Sequence, residues 1–203
     1  MWRRGNKLLT FNPETHEYKE DGLTIPSVTQ ILKESGLINF DYLDPGLLAM
    51  KADLGTKVHQ TTEYEDMGTL DIGSLDPLLE GYLEGWIKFK ADFNFIPLEI
   101  ELQLSHSLYR YAGTIDRTGL VGKDLILLDI KSGTRTRTHS LQTMGYRLLY
   151  DQNKKPKEQI KKRLCIYLNE FGQYKVEENK DDITDKSVFL SALTICNYLR
   201  KNK

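Results

Sequence analysis

Two acids and a lysine interrupt strands that are otherwise apolar. Asp116 closes the run YAGTID, Asp129 lies near the end of LILLDIK, and Lys131 follows two residues later. Side chains alternate faces along a strand, so Asp129 and Lys131 share one side and Ile130 takes the other. A hairpin joining the two strands sets Asp116 beside Asp129. Two carboxylates held together in a sheet repel unless a cation lies between them. A hard divalent ion such as magnesium takes oxygen ligands of this kind and keeps several waters. An ammonium beside such an ion can position or activate an attacking water and offset charge building on a phosphoryl group. Taken alone, D-x-K is an ordinary Asp–Lys salt bridge at a strand end; its companions change that reading.

Glu101 falls on the polar face of a neighbouring candidate strand and can add a carboxylate. His59 follows Gly55 in GTKVH on a helix, and Glu63 is one turn further on the same face. Gln142 and Tyr146 are one turn apart on the helix after the D-x-K strand. In order, these make G-x-x-x-H (Gly55–His59), G-x-x-D (Gly113–Asp116), D-x-K (Asp129–Lys131) and Q-x-x-x-Y (Gln142–Tyr146). Each is weak by itself; the four in this order resemble the RecB-like branch of the PD-(D/E)XK nuclease superfamily, over about residues 55–150. The stretch FNPETHEYKEDGLTIPSVTQIL is also similar to the start of small phage exonucleases and of the mitochondrial single-strand DNA exonuclease in that superfamily.

The resemblance implies roles. His59, Asp116 and Asp129 bind Mg2+, with Mn2+ able to substitute, together with the main-chain carbonyl of Ile130. Lys131 is catalytic with the two aspartates. Gln142 and Tyr146 brace the site or touch the DNA backbone, and Glu101 and Glu63 support it. The proline of the superfamily's name is Ile115 here. The cysteine cluster of the iron–sulfur relatives is missing, so no such cofactor is expected. No Walker-type phosphate loop occurs either, so no attached motor is expected.

Charge suggests where a nucleic acid could run. Residues 53–101 hold eleven acids against three bases. The segment after Lys131, SGTRTRTH, has no acid, and its Ser132, Thr134, Arg135 and Arg137 suit phosphate contacts. A second basic stretch, from Lys154 to Arg163, reads as a solvated loop or a further contact. Tyr109 and Tyr111 either stack unpaired bases or pack in the core.

Strands and helices must position these groups. Short strands are expected over residues 7–25, with a hairpin turn at Asp21-Gly22. A helix over 28–33 is capped by Ser27 and ended by Gly36. Further helices are expected over 47–64 and 77–92, then strands over 98–104, 109–117 and 125–131 with a turn at 119–123. A helix over 140–150, a strand pair over 164–168 and 173–176, and a helix over 184–200 follow. The fold class is α/β (α+β): a mixed central sheet flanked by helices, with the resemblance implying a restriction-endonuclease-like core. One domain over 1–203 is expected, with 1–46 as an N-terminal hairpin and helix extension.

The bulk numbers agree with a soluble enzyme. The chain has 203 residues, 39% hydrophobic and 28% charged, with a net charge of −1. That argues mildly against a protein coating DNA through bulk charge and says little about an enzyme with a local basic groove. Cys165 and Cys196 are each isolated among apolar residues and read as core. Neither a signal peptide nor a membrane helix is expected; the expected location is the cytosol of a bacterium, with the chain host- or phage-encoded. The function expected is a metal-dependent deoxyribonuclease, foremost an exonuclease on ends or single strands in recombination, replication or repair, with DNA and a partner from those processes. The alternatives are a structure-selective endonuclease and a catalytically silent nucleic-acid-binding relative.

Overall fold

The computed structural model describes residues 8–40, 42, 44–152 and 154–202; Lys7, where the first strand was expected to start, lies outside them. Three short strands come first: β1 (Leu9–Asn12), β2 (Glu17–Glu20) and β3 (Leu23–Ile25), paired antiparallel in that order. Helix α1 (Val28–Glu34) starts at Ser27, whose hydroxyl accepts from the Gln30 N–H while the Gln30 side chain accepts from the Ser27 N–H. This reciprocal capping is what P-S-V-T-Q encodes. Helix α2 (Pro45–Met67) is capped by Asp44 and stops at Gly68, which takes a left-handed conformation. Helix α3 (Pro77–Phe93) begins with proline in its first turn.

The central sheet follows: β4 (Ile96–Ser105), β5 (Ala112–Val121), β6 (Asp124–Lys131), then α4 (Thr138–Asp151), β7 (Lys162–Leu168), β8 (Tyr174–Glu178) and α5 (Asp182–Lys201). Its order is β4-β5-β6-β7-β8, antiparallel throughout except for the parallel pair β6–β7, which α4 connects. Parallel neighbours need such a crossover.

Strand β6 is apolar on both faces because helices cover both. Leu127 packs with α1, α4 and α5 through Val28, Ile31, Met144, Leu149 and Phe189. Ile126, Leu128 and Ile130 pack on the other side with Val58 of α2, Trp86 and Phe89 of α3, and Leu164 and Ile166 of β7. Helix α1 belongs to the first of these cores, with Val28, Ile31 and Leu32 fully buried.

Three expectations need correcting. Strand β5 starts at Ala112, not Tyr109: residues 107–109 form a turn, the Arg110 N–H donates to the His106 carbonyl (2.8 Å), and Arg110 takes φ +52°. The β5–β6 turn is tighter than 119–123, since pairing continues to Val121–Asp124. Gly119 lies inside the strand, paired with Ile126, and must be glycine because a Cβ there would come within 2.3 Å of the Phe95 ring. Arg163, in the second basic stretch, is fully buried rather than solvated. It holds Asp185 (2.8 Å) and Asp182 (2.9 Å) of α5 and the Ser140 carbonyl (2.7 Å) of α4. Both cysteines are buried, as expected.

Candidate active site

The carboxylates gather where the regular sheet breaks. Residues two apart on a strand share a face. Ile115 nevertheless packs in the α1–α4–α5 core, whereas the Arg117 guanidinium reaches Asp66 and Thr62 of α2 on the opposite side. The alternation is therefore interrupted at Asp116. The β5–β6 ladder ends at the pair Arg117–Leu128, and beyond it the Ile130 N–H donates to Asp116 Oδ2 (2.7 Å). On β4, Glu101 lies between the pairs Ile100–Arg117 and Leu102–Ile115 and takes φ +47°. Such irregularities re-aim side chains and recur beside active sites. Here they turn Glu101 and Asp116 toward His59 of α2.

His59 Nδ1 is 3.5 Å from Asp116 Oδ2 and 3.9 Å from Glu101 Oε1. One ligand atom from each of His59, Glu101 and Asp116 lies within 4.8 Å of the others, spacing that suits a cation. Asp129 is not in this group. Its Oδ2 is 2.8 Å from Lys131 Nζ, and both side chains are on the α4 side of the sheet, as the alternation along β6 requires. Glu101, read from sequence as a supporting group, thus stands nearer the imidazole than Asp129, read as a ligand. All four residues and Lys131 line one open cleft of about 940 Å³.

The electrostatics fit a cation site. Burial alone would lower the pKa of His59, but Asp116 and Glu101 outweigh it and raise it to about 9. Burial raises both Asp116 and Asp129, and the charge of Lys131 opposes that rise in each. Burial would lower Lys131, yet Asp129 and Asp116 raise it above the usual lysine value. The two carboxylates thus favour the charged form of Lys131. Two carboxylates, a third nearby and an imidazole are a donor set that fits a divalent metal; His59, Glu101 and Asp116 would hold it, with Asp129 beside them.

A hydrogen-bonded chain fixes the lysine. Lys131 Nζ donates to Gln142 Oε1 (3.0 Å), and Gln142 Nε2 donates to the Tyr146 hydroxyl (3.0 Å). The ring of Tyr146 lies over Gly113, where a Cβ would come within 2.9 Å of it. That contact explains the glycine of G-x-x-D: it admits the tyrosine of Q-x-x-x-Y. Gly55 has no matching steric reason, since a Cβ there would only touch Ser132 Oγ at 3.6 Å.

Other expected residues divide. Ser132, Thr134 and Glu63 line the cleft. Ile130 reaches it through its backbone, its side chain being in the α2–α3 core. Arg135 is turned to Glu177 (2.5 Å), and Arg137 is exposed at the start of α4; neither lines the cleft. Tyr111 cannot stack on a base: it is fully buried and donates to the Gly145 carbonyl (2.8 Å). Tyr109 packs against the His106 ring (4.5 Å), away from the cleft.

Sequence reasoning missed Arg117. It is fully buried and donates to Asp66 (2.7 Å), Glu101 (3.0 Å) and the Asp116 carbonyl (2.5 Å), so it orients two site residues at once. Its signal was a charged residue directly after Asp116 in a strand that is buried along much of its length. His139 was also missed. It lines the cleft, its Nδ1 is 2.9 Å from the Tyr167 hydroxyl, and burial, with Lys131 nearby, lowers its pKa to about 4.

Residues 42–194 match the PD-(D/E)XK nuclease superfamily, well over half of the chain, and the protein belongs to it. The five-stranded mixed sheet between helices is consistent with its restriction-endonuclease-like fold. Among solved structures, the chain is similar to a protein of Eubacterium rectale provisionally named an exonuclease, at 9% identity over 70% of this chain and 67% of that one, with a TM-score of 0.46. It is also similar to LHK-Exo in complex with dAMP, at 16% identity over 88% and 92% of the two chains and a TM-score of 0.33. No curated protein sequence matches it significantly. No helix among the described residues is long and apolar enough to cross a membrane.

Proposed function

We propose that this protein is a divalent-metal-dependent deoxyribonuclease, foremost an exonuclease acting on DNA ends or single strands. The observation that carries the reading is the meeting of His59, Glu101 and Asp116 within 4.8 Å, in the same cleft as Asp129 and Lys131. A bound Mg2+ or Mn2+ would supply Lewis acidity toward the phosphoryl oxygen. The chain's own residues do the rest. Lys131, held between Asp129 and Gln142, presents a fixed positive charge to the phosphate as charge develops on it. Gln142 is itself held by Tyr146, so the ammonium cannot wander. Ser132 and Thr134 offer hydroxyls to the neighbouring phosphate oxygens. Recombination, replication or repair in a bacterial or phage setting is the role that suits such an activity.

The test compares end-labelled linear single- and double-stranded DNA with closed circles, in Mg2+ or Mn2+, with EDTA and Lys131→Ala controls. Metal-dependent loss of linear DNA alone, reduced at least about a hundredfold in Lys131→Ala, is the expected result. Cut circles would mean an endonuclease. A folded protein that binds DNA and cuts none of these would mean a silent relative.

A further inference from the structure

We propose that the tip of the β1–β2 hairpin is a stacking subsite for an unpaired nucleobase of the strand whose phosphate lies at the carboxylate cluster. The proposal rests on the nuclease reading above and adds the kind of substrate: single-stranded DNA.

Phe11, Pro13, His16 and Tyr18 line the same cleft as His59, Asp116 and Lys131. The hairpin is fastened to the strand that carries the site. The Tyr18 hydroxyl is 2.5 Å from Thr114 Oγ1, and Ser105 Oγ donates to Glu20 (2.9 Å). Thr114 also lines the cleft and precedes Asp116 by two residues, about 7 Å along the strand. Tyr18 and Ile25 pack on Ala112 beneath.

The aromatic rings are stepped. Tyr18 is buried and backs Phe11, stacked on it with centroids 4.5 Å apart. Phe11 is half-buried, and His16, exposed, meets it edge-on at 5.9 Å. Phe11 and His16 therefore border the cleft with ring surface that the protein's own packing leaves open.

Charge differs along the cleft lining. From Phe11 to Tyr18 the sequence is FNPETHEY, with two acids and no lysine or arginine. Phosphates are disfavoured there. Elsewhere the same cleft is lined by Lys131, Ser132 and Thr134. A strand whose backbone is held by Lys131 can turn a base to the hairpin, and an unpaired base, unlike one inside a duplex, has its faces free to stack there. Sequence-tolerant stacking on aromatic side chains is how many proteins hold single strands.

The test uses the Lys131→Ala protein, so that bound strands stay intact, and measures affinity for a single-stranded oligonucleotide carrying 2-aminopurine and for a matched duplex. Phe11→Leu keeps the apolar packing, and His16→Asn suits the left-handed backbone at φ +50°. The expected result is quenching of 2-aminopurine by the parent. The double variant should lose that quenching and bind the single strand about tenfold more weakly, at unchanged melting temperature and unchanged duplex affinity. Unchanged quenching and affinity, or equal losses for single strand and duplex, overturn the subsite, while cleavage of DNA by the wild-type protein keeps the nuclease reading. A wild-type protein that neither cuts nor binds DNA overturns both.

Discussion

Arg117→Met is the sharpest test of how this site is held. The substitution keeps length and apolar bulk but removes a charge that is fully buried. Breaking a buried ion pair by removing one partner costs about 3–5 kcal/mol, because the other charge is left uncompensated. Asp66 would not be abandoned: it keeps Lys90 Nζ at 2.7 Å and the Trp86 indole N–H at 3.0 Å. Among the described residues Glu101 keeps His59, at 3.9 Å, and can turn toward water since its side chain is 26% exposed. The low end therefore applies, about 3 kcal/mol, which for a domain of this size is a fall of about 6–12 °C in melting temperature. Glu101 also loses the group that aims it at the cluster, and losing such an orienting partner typically weakens metal binding 10–100-fold. Thermal unfolding by circular dichroism, with and without Mn2+, and calorimetric titration of Mn2+ measure the two effects. A melting temperature within about 2 °C of the parent, with unchanged metal affinity, would refute the role given to Arg117.

Gly113→Ala places a methyl 2.9 Å from the Tyr146 ring and 3.2 Å from Leu149. The expected cost is about 1–3 kcal/mol, with a fall in cleavage larger than that of Tyr146→Phe, because the displaced ring carries Gln142 away from Lys131. Equal stability and activity for Gly113→Ala and the parent would remove this account of the glycine. His59 makes two pH predictions. Metal must displace its proton, so apparent metal affinity should rise with pH, up to about tenfold per unit, and level off above about 9. His59→Gln should flatten that slope. In the metal-free protein the sign is opposite. A histidine raised from its ordinary 6.5 stabilises the fold fully below pH 6.5, and that contribution is lost as pH rises through about 9. Melting curves in EDTA across that window, parent against His59→Gln, check it.

Much of this was legible in the residues because it is local or periodic. Ser27 and Gln30 cap α1 through neighbours three apart. The apolar run LILLDIK announced a strand covered on both faces, and alternation alone put Asp129 and Lys131 on one side. The spacing of Gln142 and Tyr146 put both on one stripe of α4, close enough to bond. What the sequence determined by itself was therefore the element order, the D-x-K geometry and the motifs that mark the superfamily.

The tertiary structure decided the rest, for reasons that lie between elements. Alternation is a property of a regular strand, and nothing local announces that β5 breaks it at Asp116 or that Glu101 takes φ +47° opposite that break. The break makes Glu101, rather than Asp129, the neighbour of His59. Arg117 looked like one more charge until α2 supplied Asp66, 51 residues away, to hold it. Tyr111 differs from a base-stacking tyrosine only because the Gly145 carbonyl meets its hydroxyl in the core. A side chain's partner across the fold depends on packing that residue type and spacing do not encode. Sequence could name the chemistry; only the assembled sheet and helices could set which carboxylate faces which.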